Sequence, residues 1–308
     1  MTWRAGSVLR SPWLRRGFLL LAVAAAVIAV VLERDAVGQA LAATSWGWVA
    51  LALVLSLGAT GFATMSWRDI SAGLGAPLGI RAAGVIYLVG QVGKYLPGGV
   101  WNLVASAELG RDHGIARRRT VGTLLVAVLV SAAMAGLLAL VLLPGSLGTV
   151  LEPYGWLVVL APLAVVAVVP AVLNYALTML LRVTRREPLP ERIGLAPVVS
   201  ASVWSLLSWA AVGLQVYVLA LAVGADAGMS LLRLSVGGYA LAWIVGFVLV
   251  FLPAGVGARE AMLALALTPV LGTGGMLVVV VLSRLLVTVA DLVAAGLALL
   301  VNRAARPG

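Results

Sequence analysis

Cysteine is absent from the 308 residues, and histidine occurs once, at position 113. The first absence excludes disulfides, thiolate metal sites and cysteine nucleophiles; the second excludes a multi-histidine metal centre within one chain. Charge is equally scarce. Only 10% of residues are Asp, Glu, Lys or Arg, against about 25% in a soluble domain, whereas 63% are hydrophobic. The longest hydrophilic stretch, roughly 182–192, is too short to fold as a separate catalytic domain. No nucleophile elbow, no phosphate-binding Gly-Lys-Ser/Thr loop and no metal-ligand spacing occurs. The paired carboxylates with which membrane transferases usually hold a divalent metal are missing too. These gaps leave an all-α polytopic membrane protein, a single transmembrane domain over 1–308, with no expected catalytic residues, metal or cofactor, and hence not an enzyme.

What charge there is has one dominant sign, +10 net. The arginines gather at the ends of apolar runs, where they report topology and anionic headgroups and not nucleic acid. Full spans are expected at 17–32, 46–67, 121–143, 156–181, 197–223 and 276–301. The first is read as an uncleaved span, its 16 apolar residues being long for a signal peptide. Trp46, Trp48 and Trp67 are placed as interfacial anchors, and Pro162 and Pro170 as kinks in the 156–181 span. Two further segments, 81–114 and 231–271, are broken and read as re-entrant helical hairpins; the longer arm of the second, 234–252, is also long enough to cross. With the N-terminus inside, sixteen Lys/Arg fall on the cytoplasmic side, including the basic loop 182–196, and only Arg34 and Arg233 outside. Both termini are therefore expected in the cytoplasm.

The breaks share a word: Leu96-Pro97-Gly98-Gly99-Val100 and Leu252-Pro253-Ala254-Gly255-Val256. A shift of 156 residues also lays Tyr87 on Trp243, Gly90 on Gly246 and the span beginning at 121 on the one beginning at 277. Three crossings separate the breaks, so the halves, about 46–143 and 197–301, form an inverted repeat of the kind that builds transport sites near the midplane.

Charged groups near the breaks are the candidate substrate-binding residues. Lys94, with a half-helix N-terminus starting near Gly98, suits an anion such as phosphate; the alternative is a lysine snorkelling to the headgroups. Gln91, Gly99 and Asn102 complete this half-site, as ligand contacts or as partners of freed backbone groups. Arg259 and Glu260 flank the second break, with Arg259 expected about one and a half turns into its half-helix. Arg284 and Asp291, seven residues apart on one helical face, are the candidate partners, through an Arg259–Asp291 or a Glu260–Arg284 pair. These charges either bind cargo or only hold the hairpin. Glu108, Arg111, Asp112 and His113 read as solvated helix-end charges. Trp101, Trp204, Trp209 and Trp243 read as belt or packing residues.

The run from Gly90 to Gly99, with Glu108-Leu109-Gly110 after it, and the run Phe251 to Glu260 resemble the two signatures of the lysylphosphatidylglycerol synthase transmembrane-region family, the flippase part of the bacterial multiple peptide resistance factor. Arg284 falls where that family's last span often carries an arginine, while Ala254 and Trp101-Asn102 depart from its pattern. The resemblance spans about 15–303. It implies a flippase in the bacterial cytoplasmic membrane moving an anionic or aminoacylated phospholipid, or a polyprenyl-phosphate-linked lipid, without the aminoacyl transferase domain that makes the lipid. Expected partners are membrane lipids and either a second copy or a lipid-modifying enzyme. The residues alone also admit a small-anion or ion-coupled transporter, or a non-transporting membrane partner of such an enzyme.

Overall fold

The structure is a computed structural model, and it describes residues 31, 34–95, 100–145, 156, 158–183, 189–248 and 257–304. The expected span 17–32 except Val31, the two Leu-Pro words except Val100, and the site candidates Gly98 and Gly99 lie outside the described residues. The described residues form helices and connecting turns, with no strand among them. They run α1 (Arg34–Ala43), α2 (Trp46–Gly73), an irregular arm (residues 80–95), α3 (Trp101–Asp112) and α4 (Arg117–Leu142). There follow α5 (Ala161–Ala167), α6 (Pro170–Val183), α7 (Leu195–Ala222), α8 (Met229–Val248), α9 (Ala258–Leu267) and α10 (Thr273–Ala304).

Among the described residues, five helices are long and apolar enough to cross a membrane: α2, α4, α7, α8 and α10. A sixth candidate, the region expected at 156–181, is bent by 67° between Val158–Ala167 and Pro170–Val183. The bend falls just before Pro170, whose ring and missing N–H forbid the preceding helical bonds. Pro162, by contrast, sits in the first turn of α5, where a missing N–H is harmless, and it makes no kink. The long arm of the second broken segment, α8, is itself one of the span-length helices.

The middle of the bundle is α2 packed lengthwise against α7. Their contacts fix an antiparallel pair: Ser45 N–H donates to Ala222 O at 3.0 Å, Ser66 Oγ meets Ser205 Oγ at 3.0 Å, and Gly73 lies against Pro197. Ser66 also donates to Ala201 O, and Ser208 to Ala59 O. In lipid, with no water to compete, such hydroxyl bonds hold helices together by about 1 kcal/mol each. Asp69 accepts from Ser200 and Trp204, and Trp204 stacks on Phe62. Trp67 is 1% exposed and packs against Tyr87; it is a core residue, not the expected interfacial anchor. Trp46 and Trp48 are exposed.

These contacts give the bundle two ends. At one lie Ser45, the end of α7 and the start of α10, where Gly274 abuts Ala36 of α1. At the other lie Gly73, the start of α7 and the later part of α10, where Gly84 faces Ala298. Arg68 and Arg119 belong to this second end, donating to Leu78 O and Gly75 O. So do Arg111 and Arg117, which pair with Glu108. The Arg117 hydrogen bond holds the Glu108 carboxyl below its ordinary value.

Both broken segments turn back on themselves. In the first, the arm and α3 are antiparallel neighbours. A Cβ on Gly90 would lie 1.9 Å from Ser106 Oγ, and one on Gly93 2.6 Å from Asn102 N. In the second, α8 and α9 pack face to face, with a Cβ on Gly238 reaching 2.7 Å from Ala266 Cβ. The sequence long helix, arm, short helix, long helix thus occurs at 46–142 and again at 195–304.

Candidate functional site

The site is organised by one face of α10. Arg284 and Asp291 are two turns apart on it, about 10 Å along the axis, with Thr288 between them donating to Arg284 O. Asp291 is 6% exposed, and its Oδ2 accepts from Lys94 Nζ at 2.6 Å and from Tyr95 Oη at 2.5 Å. Both donors come from the last turn of the arm. The arm reaches them by changing its winding, from an α-turn at Ile80–Gly84 through a π-turn at Val85–Val89 to a 3-10 turn at Gly93–Tyr95. Such departures from 3.6 residues per turn redirect side chains, and here they aim two successive residues at one carboxylate. Gly93 makes the geometry possible, because its missing side chain lets the α3 backbone pass at contact distance.

The second fold-back contributes at the other rung. Gly257 adopts φ +89°, a conformation glycine reaches without penalty, and its N–H donates to Glu260 Oε2 at 2.7 Å. The helix therefore begins at Ala258, and Arg259 is its second residue instead of lying one and a half turns in. Glu260 Oε1 faces Arg284 Nε at 3.6 Å, each about a quarter exposed. The guanidinium of Arg259 lies over the Tyr239 ring, 4.6 Å from its centre. Among the described residues it has no carboxylate within 4.0 Å. Of the two expected pairings, Glu260–Arg284 is present and Arg259–Asp291 is not. Asp291 is taken by Lys94 from the other fold-back, which is nearer and brings a tyrosine hydroxyl with it.

Arg259, Glu260, Tyr239, Ser283 and Arg284 border a narrow recess. Behind it, Ser283 Oγ donates to Gln215 Oε1 at 3.0 Å, both residues being buried. Trp209, Trp243 and Phe247 continue the aromatic contacts beyond Tyr239. A larger cavity of about 160 Å³ lies far from these charges, beside Asn174, Glu191 and Arg192. There Asn174 exchanges two 3.0 Å bonds with Ile193, and Arg119 pairs with Glu191 at 2.5 Å. That arrangement fastens the segment before α7 and is separate from the α10 face.

Of the candidates read from the sequence, Lys94, Arg259, Glu260, Arg284 and Asp291 come together along α10. Asn102 lies behind them, its backbone against Gly93, and Gln91 is half-buried one helical turn before Tyr95. Tyr95 and Tyr239 were not among the candidates. Tyr95 had a signal, its place between Lys94 and the break, but a tyrosine there is equally at home as an interfacial anchor. Gln215 had none, since a lone amide in a span carries no spacing.

Over residues 17–295 the chain matches the family described as the lysylphosphatidylglycerol synthase TM region. No curated protein matches the chain.

Proposed function

The chain belongs to the lysylphosphatidylglycerol synthase TM-region family, and from that premise we propose that it translocates a lipid headgroup across the bacterial cytoplasmic membrane and is not an enzyme. One observation carries this reading. Two fold-backs bring Lys94 to Asp291 and Glu260 to Arg284, two rungs about 10 Å apart along one face of α10, in a chain that is 63% hydrophobic. Charge inside a membrane bundle is costly and marks pathways for polar cargo.

On this reading the fold-backs are re-entrant, and 46–143 and 197–301 are inverted repeats that frame one path near the midplane. The antiparallel α2–α7 pair and the repeated order of elements support that relation. The arginine-rich end is cytoplasmic, and both termini with it. Lys94, Gln91, Asn102, Arg259, Glu260, Arg284 and Asp291 line the headgroup path while the tails stay in lipid. Lipids are the partners, with a second copy or a lipid-modifying enzyme as further ones.

The test is reconstitution of the purified protein in vesicles with tail-labelled lipids, scored by a membrane-impermeant quencher. Protein-dependent headgroup movement that is lost in Lys94→Ala is expected. No movement of any anionic, aminoacylated or polyprenyl-linked lipid would sink the proposal.

A further inference from the structure

The charges on the α10 face do not cancel. Among the described residues, Lys94, Arg259 and Arg284 stand against Glu260 and Asp291, so three cations meet two carboxylates. The neighbouring residues 96–99 and 249–256 carry no charged side chain, so nothing in the two breaks supplies the missing anion. The surplus is localised. Among the described residues, Lys94 and Arg284 each have a carboxylate, whereas Arg259 has only the Tyr239 ring. Arg259 also occupies the first turn of α9, at the positive end of the helix dipole, where a cation is disfavoured and an anion welcome. Together with Arg284 and the Ser283 hydroxyl it rims the recess, whose interior of about 10 Å³ holds no more than a water, so a larger group would sit at the rim.

We infer that the mouth of this recess, beside Arg259, binds a lipid phosphodiester of net charge −1, and that the protein therefore selects unmodified monoanionic lipids over aminoacylated cationic ones. Resting on the translocation reading above, the inference names its substrate class. A single phosphodiester beside Arg259 makes the whole set neutral, and a guanidinium matches its two free oxygens in a forked pair. A lysyl ester of phosphatidylglycerol carries two ammonium groups on one phosphate. Its net +1 adds to the surplus instead of removing it. A zwitterionic lipid leaves the surplus as it was. Phosphatidylglycerol and a polyprenyl phosphodiester sugar both have the required chemistry.

Vesicles of phosphatidylcholine containing the full chain and one trace tail-labelled lipid decide the matter. The lipids compared are phosphatidylglycerol, a polyprenyl phosphodiester sugar, phosphatidylethanolamine and lysylphosphatidylglycerol. Wild-type protein is expected to move at least one of the two monoanionic lipids about tenfold or more faster than the lysyl ester, a preference of about 1.4 kcal/mol. Which of the two moves identifies the source of the phosphodiester. Arg259→Gln is expected to bring the rate for phosphatidylethanolamine up to that for the monoanionic lipid. Arg259→Lys keeps the wild-type order. Native mass spectrometry of lipid retained by each variant supplies the same comparison without transport. A lysyl ester moved as fast as, or faster than, both monoanionic lipids overturns the inference and leaves translocation standing. So does an unchanged preference, in rate or in retained lipid, in Arg259→Gln. Movement of no lipid at all overturns both.

Discussion

The first fold-back, residues 80–112, and the second, residues 229–267, do the same topological work by different means. The first is short and irregular, closed by backbone passing backbone at Gly93 and tied to α10 by a 2.6 Å ion pair reinforced by a tyrosine. The second has a regular, span-length arm and a methyl-to-glycine contact at Gly238. Its tie to α10 is looser, 3.6 Å, and among the described residues one arginine remains without a carboxylate. One half is electrically satisfied and the other is not. The satisfied half is a fastening, and the unsatisfied half is where a ligand has something to gain.

The sharpest way to break this contrast is to remove the anion from each tie. Asp291→Asn leaves a tyrosine hydroxyl and the Lys94 ammonium, whose side chain is 35% exposed, without their acceptor, and is expected to cost about 2–3 kcal/mol, less than the loss at a fully buried pair. Thermal unfolding in detergent measures it. Glu260→Gln, at a longer and quarter-exposed pair, is expected to cost about 1 kcal/mol. Equal losses would erase the distinction between the two ties.

Steric probes come next. Gly93→Ala drives a Cβ against the α3 backbone at 2.6 Å and is expected to cost about 3 kcal/mol, the upper part of the overpacking range. Gly238→Ala meets only the Ala266 methyl, where two helices can slide apart, for about 1 kcal/mol. Protease resistance of the reconstituted variants orders the two, and a larger effect at Gly238 would reverse the assignment of rigidity.

Outside both fold-back contacts with α10, the Glu108–Arg117 pair is fully solvated and gives the smallest effect. Because Arg117 lowers the folded-state pKa of Glu108, whatever stability the pair contributes is present above the ordinary glutamate pKa. It is lost as pH falls through the lowered one. The melting temperatures of wild type and Glu108→Gln should therefore converge on acidification; divergence would contradict the sign.

Much of the fold could be read from apolar run length alone. The regions of α2, α4, α7 and α10 were evident because a span-length run leaves little choice in lipid. The Glu260–Arg284 pair was legible too, since helical periodicity put Arg284 and Asp291 on one face. The Lys94–Asp291 pair was not, because it joins opposite halves of the chain and no local spacing connects them. Trp67 shows a different failure. At the end of an apolar run beside Arg68 it has the pattern of an interfacial tryptophan, and only its packing on Tyr87 reveals a core role. The start of α9 was misplaced because Pro253 looked like the helix-starting residue, whereas Gly257, with its positive φ, fills that role.

The tie between Tyr95 and Asp291 spans 196 residues of chain, which bears on how the molecule is made. At about 5–20 residues per second of synthesis, the first fold-back leaves the ribosome roughly 10–40 s before the carboxylate that neutralises it. Lys94 must wait through that interval without its counter-charge, at the membrane surface or against lipid phosphates. Insertion of the last helix is then the event that completes the first half. A nascent chain arrested before α10 should expose Lys94 to membrane-impermeant amine reagents, and release of the full chain should hide it.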